Sequence, residues 1–86
     1  MNERDGASQK AAGQSAAKVW LKTARIEDVV RLAGAETEYG DDTIDALREV
    51  NIHREELASP DFSWGFYKQV KSYVFHVIRQ SRSNRR

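Results

Sequence analysis

The run that begins at Ser59-Pro60 and continues through Phe62, Trp64, Phe66, Tyr67, Val70, Tyr73, Val74, Phe75, Val77 and Ile78 constrains the fold of this 86-residue chain more than any other segment. Serine followed by proline marks a helix start: the hydroxyl caps the first turn, and proline takes the first helical position, where a missing N–H costs nothing. At about 100° per residue, Phe62, Phe66, Val70, Tyr73, Val74 and Val77 fall within about 120° of one another, which makes a core face. Tyr67, Ile78, Trp64 and Phe75 widen the apolar arc to roughly 220°, interrupted by Lys71; Lys68, Gln69, Ser72, His76 and Arg79 take the polar side. An edge helix of a small domain needs a stripe of only about 100°, so this helix has to be covered on two sides. Either it is the central helix, or part of its arc, with Trp64, Tyr67 and Phe75 as aromatic anchors, meets a partner or a second copy. Gly65 costs about 1 kcal/mol relative to alanine inside a helix. A close backbone approach explains it, and so does a helix that starts later.

Upstream, Val19, Trp20, Ile26, Val29, Val30 and Leu32 give a broken helical stripe from Ser15 to Ala33, with Gly34 as a C-cap. A break near Thr23 is the alternative, with Thr23 capping a shorter helix and Val19 to Leu21 extended. Asp41 and Asp42 are good helix-start residues, with acidic charge where a helix N-terminus favours it. Ile44, Leu47, Val50 and Leu57 then keep roughly helical spacing, but Asn51 and Ile52 disturb it. The sequence is compatible with one helix or with two, 43–50 and 52–58. The expected architecture is all-α: a compact bundle of three helices, or four if the second divides, in a single domain over residues 15–80.

Residues 1–14 contain no apolar side chain larger than alanine after Met1. Such a segment buries too little surface to offset its ordering entropy, so a disordered arm is expected there. The same reasoning makes residues 81–86 a flexible basic tail. Without cysteine there is neither a disulfide nor a thiolate metal site. No stretch approaches the roughly 18 apolar residues needed to cross a bilayer, and no apolar signal core opens the chain, so a cytoplasmic location without membrane contact is expected.

The net charge of +1 conceals strong segregation. Residues 1–35 carry a net +2, residues 36–61 a net −7, and residues 62–86 a net +6 with no acidic side chain at all. Blocks of this kind steer partners without specifying a fold. Asp41, Asp45 and Glu49 recur every four residues and line one helix face, a solvated surface, a dock for a basic partner, or a surface for the chain's own basic tail to fold back on. A cation site is not expected, because the alternating order of a calcium loop is missing, and no metal or other cofactor is expected either.

Lys68, Lys71, Arg79, Arg82, Arg85 and Arg86 are candidate phosphate contacts for a nucleic acid. A pI of about 8.1 falls short of the value above 9 common in dedicated nucleic-acid-binding domains. Residues 43–58, a turn at Ser59 and the helix from Pro60 have the layout of a helix-turn-helix. A base-reading helix presents Arg, Asn, Gln or Lys in its first turns, however, and this one presents Phe62, Trp64, Phe66 and Tyr67. A degenerate helix-turn-helix turned to protein contacts fits better. His53 and His76 belong to no catalytic motif, and no phosphate loop or nucleophile elbow occurs, so no enzyme activity is expected.

The Val19-Trp20-Leu21 start, the Leu47-Arg48-Glu49-Val50 run leading to Glu55-Glu56-Leu57, and the final helix through Trp64-Gly65 loosely resemble the element order of sterile-alpha-motif domains. That resemblance implies a role in protein association. The Val50 to Leu57 spacing is longer than the pattern, and the Gly-His-Arg-like start of its last helix is missing, so the family is not assigned. The functional expectation is a small non-catalytic regulator or adaptor that binds another protein, a transcriptional regulator among the candidates, with homodimerisation as a further option. A nucleic-acid-binding transcriptional regulator is the alternative.

Overall fold

In the computed structural model, which describes the backbone of residues 4–83 and the side chains of residues 7–80, every regular element is helical. The elements are α1 (Arg4–Thr23), α2 (Ile26–Gly34), α3 (Asp41–Glu49), a single 3-10 turn (Glu55–Ala58) and α4 (Pro60–Ser83). No strand occurs among the described residues, and no helix among them is long and apolar enough to cross a membrane.

α4 begins where Ser59-Pro60 places it. The Ser59 hydroxyl accepts the Phe62 N–H at 3.3 Å, and the Ser59 carbonyl accepts the Ser63 N–H at 3.1 Å. Its first three turns form the spine of the core: Phe62, Phe66, Tyr67 and Val70 are buried with Val29 and Leu32 of α2, Ile44 and Leu47 of α3, Val50, Ile52, Leu57 and Ala17 of α1. The buried Ser63 is accommodated because its hydroxyl donates to the Leu57 carbonyl at 3.0 Å.

The disordered arm expected over residues 1–14 is corrected from Arg4 onward, where the segment is the first half of α1 and meets α4 at Lys10 and Gly13; residues 1–3 lie outside the described residues. Small side chains there are a means of contact rather than a lack of it. A Cβ on Gly13 would collide with the Phe62 carbonyl, and one on Gly65 would collide with the Lys10 carbonyl. The two glycines therefore let the helix backbones touch at their crossing, and Gly65 is explained by close approach and not by a later helix start. Further along, Trp20 packs against Phe66, ring centroids 5.6 Å apart and planes tilted by 57°. Ser81 to Ser83, expected to open a flexible tail, continue α4 as helix; residues 84–86 lie outside the described residues.

α1 and α2 are separate helices. Val19 to Leu21 are helical, not extended, and Arg25 rather than Thr23 stands at the start of α2, its carbonyl accepting the N–H groups of Asp28 and Val29. Gly34 is the last helical residue, and the cap position falls on Ala35. The second helix starts at Asp41, but its cap position is Gly40, at φ 115°, and not Asp41 or Asp42, which lie in the first turn; the helix ends at Glu49. It does not run on to Ala58. Asn51 takes the left-handed conformation at φ 66°; its N–H bonds the Arg48 carbonyl at 3.0 Å, and that of Ile52 bonds the Leu47 carbonyl at 3.1 Å. This is a Schellman ending, with Ile52 folded back into the core beside Leu47. The connection to α4 thus spans residues 50–59 and includes the 3-10 turn, which is longer than the short turn of a helix-turn-helix.

Candidate interaction surface

Two of the three aromatic candidates on α4 are engaged by the chain itself. Tyr67 is buried; its hydroxyl donates to the Ala35 carbonyl and accepts from the Lys71 ammonium at 3.0 Å. Burial pushes that hydroxyl up, and the hydrogen bonds from Lys71 and around Thr37 outweigh it, so its pKa is lowered from the ordinary 10.0. Trp64 is half-buried between Tyr67, 5.6 Å away, and Tyr39, which meets it edge-on at 5.8 Å. Lys68 lies over the Trp64 ring at 5.4 Å and Lys71 over Tyr67 at 5.2 Å.

Tyr39 reaches Trp64 because the loop before α3 is pinned at both ends. The Thr43 hydroxyl, fully buried, donates to the Glu38 carbonyl at 2.8 Å and lies 3.1 Å from the Thr37 hydroxyl. The Glu38 N–H donates to the Asp42 carboxylate at 3.3 Å, and the Tyr39 hydroxyl to Asp61 at 2.6 Å. That bond to the carboxylate raises the Tyr39 pKa above 10.0. The far margin of the α4 arc at Trp64 is therefore covered by a loop that carries no helical periodicity and that sequence patterning passes over.

Phe75 is different. It is 57% exposed, and its neighbours Tyr73, Val77 and Ile78 are 45%, 43% and 46% exposed. Tyr73 and Val77 prolong the face that Phe66 and Val70 turn to the core, beyond the point where the rest of the chain covers it; Ile78 lies at its margin, and Phe75 beyond that among Lys68, Lys71 and Arg79. On one side, Val74 and Phe75 border a cleft with Val30, Ala33 and Gly34 of α2, with Lys71 and Glu36 also on its lining. On the other, Tyr73 and Gln69 border a shallower groove with Leu21 of α1, flanked by Lys18 and Lys22. Ile26 and Val30, one turn apart on α2, are also exposed. Tyr73, Val77 and Ile78, read from sequence as core or its margin, belong to the exposed surface.

The acidic candidates Asp41, Asp45 and Glu49 are exposed on α3. No group of three or more His, Asp or Glu side chains is placed to hold a metal among the described residues. The basic candidates Lys68, Lys71 and Arg79 surround a shallow depression with Ser72, Phe75 and His76. Arg82 is on α4, but its side chain lies outside the described set, as do Arg85 and Arg86. The acidic candidates are thus on α3 and the basic ones on α4, around a depression that runs from Lys68 to Arg79. No protein-family model, curated protein or solved structure matches the chain.

Proposed function

We propose that this chain is a small non-catalytic regulatory or adaptor protein that works by binding another protein, with the second half of α4 as the principal contact and the acidic face of α3 as a second one. The observation that carries the reading is the continuation of the α4 core face through Tyr73 and Val77, with Ile78 at its margin and Phe75 beyond, past the end of its own cover. A contiguous group of large apolar side chains rimmed by polar ones is characteristic of binding surfaces. Asp41, Asp45 and Glu49 form a separate like-charged surface suited to a basic partner, and a transcriptional regulator is one such protein. Trp64 and Tyr67 act from beneath, holding the helix that carries Phe75.

The test is affinity capture from the native host with the wild-type chain and with a Phe75→Gln, Ile78→Gln variant. Both substitutions are at exposed helical sites, so the circular dichroism and melting of the variant should match wild type. Loss of a captured protein by a folded variant supports the reading; an identical captured set overturns it.

One observation favours a second reading, a nucleic-acid-binding regulator that uses the basic side of α4: Lys68, Lys71, His76 and Arg79 converge around one depression. That reading requires affinity for single- or double-stranded DNA or for RNA that falls steeply with salt and weakens when Arg82 to Arg86 are removed. Unchanged affinity after the truncation eliminates the tail's part in it.

A further inference from the structure

We infer that the exposed end of α4 is a seat for an acidic amphipathic helix of another protein; this rests on the protein-binding reading above. The surface has the form such a partner needs. Tyr73 and Val77, and likewise Val74 and Ile78, are four residues apart and make two short apolar rows along α4. Grooves lie on both flanks, toward Leu21 of α1 and toward Val30 of α2. A helix laid along those rows inserts side chains at i, i+3, i+4 and i+7.

Charge decides which helix. The groove toward α1 is flanked by Lys18 and Lys22, and the opposite side of α4 carries Lys68, Lys71 and Arg79. From Phe62 to the end of the chain there is no acidic side chain, and Glu36 is the sole carboxylate on either groove lining. Cations on both flanks of an apolar strip select carboxylates on both flanks of the occupant. A second copy docked through the same α4 strip is disfavoured by the same rule, since it would bring the same cations against themselves. A nucleic acid satisfies the cations but leaves Tyr73, Val77, Ile78 and Val30 without cover.

The experiment uses the full chain and two synthetic peptides of about 20 residues, long enough to be helical. Both have leucine at helical spacing; one has glutamate on its flanks and the other lysine. The glutamate peptide should bind at least about tenfold more tightly than its twin, weaken as salt rises, and lose about tenfold with Phe75→Gln, Ile78→Gln. Lys18→Gln, Lys22→Gln should weaken it by a smaller factor. Equal binding of the two peptides, no binding of either, or indifference to the Phe75 and Ile78 substitutions overturns the inference. So does concentration-dependent dimerisation abolished by the same substitutions, or binding of a single-stranded oligonucleotide or phosphatidylserine vesicles without the glutamate peptide. Host capture that still depends on Phe75 and Ile78, beside failure of the glutamate peptide, would remove this inference and leave the protein-binding reading standing.

Discussion

Glycine has opposite meanings at three helical positions of this chain. At Gly13 and Gly65 an added methyl would run into the backbone of the facing helix, whereas at Gly34 nothing lies within 4 Å. Alanine favours a helix by up to about 1 kcal/mol over glycine, while a methyl forced against a packed backbone costs about 1–3 kcal/mol. Gly13→Ala and Gly65→Ala should therefore each destabilise, by up to about 2 kcal/mol net. Gly34→Ala should stabilise slightly. Thermal melts of the three variants check this, and a raised melting temperature for either crossing glycine would mean that α1 does not touch α4 there. Tyr39 makes a second residue-scale prediction. Its hydroxyl is raised in the folded state, so its bond to Asp61 contributes fully below the unfolded-state value of 10.0 and is lost as pH climbs through the higher folded value. Ultraviolet titration should show one tyrosine ionising late, and Tyr39→Phe should remove that late phase.

At the scale of elements, α4 was readable because its signals are side-chain signals: a serine cap, a proline at the first position and large apolar residues at helical spacing. The exposed strip was half-readable for the same reason. The excess width of the arc implied cover from outside, but periodicity could not say which margin the chain covers itself. Tyr39 and the loop through Thr43 take the Trp64 margin by hydrogen bonding, which leaves no apolar pattern. The first half of α1 was missed because its packing is by backbone, and alanine and glycine carry little hydropathy. The end of α3 was legible only in retrospect. Asn51 and Ile52 break the helical spacing because they are the left-handed residue and the returning apolar residue of a Schellman ending. Asn51→Gly should be neutral or stabilising by up to about 1 kcal/mol, and Asn51→Val destabilising by about 1–2 kcal/mol, since a β-branched residue resists positive φ. Chemical denaturation measures both. Equal stability of the glycine and valine variants would argue against the left-handed turn.

At the scale of the whole molecule, the charge blocks are not used up in holding the fold together. The ion pairs among the described residues, Arg25 with Glu27 at 3.9 Å and Arg54 with Glu56 at 3.2 Å, join near neighbours in sequence, and neither links the acidic block to the basic helix. The acidic face extends even to a position where it disfavours the fold. Glu49 is the last residue of α3, at the negative end of the helix dipole and four residues after Asp45. Glu49→Lys relieves both effects and should stabilise the chain by roughly 0.5–1 kcal/mol, a gain that shrinks as salt rises. For a chain of this size that corresponds to a rise of about 2–8 °C in melting temperature. If the acidic face serves a basic partner, the same substitution should weaken capture of that partner while it strengthens the fold, a trade expected of a binding surface and not of a merely solvated one. Differential scanning calorimetry at low and high salt, paired with capture by the same variant, separates the cases. A stabilised variant with unchanged capture would confine binding to α4, and a destabilised one would show that Glu49 has a stabilising partner within the chain.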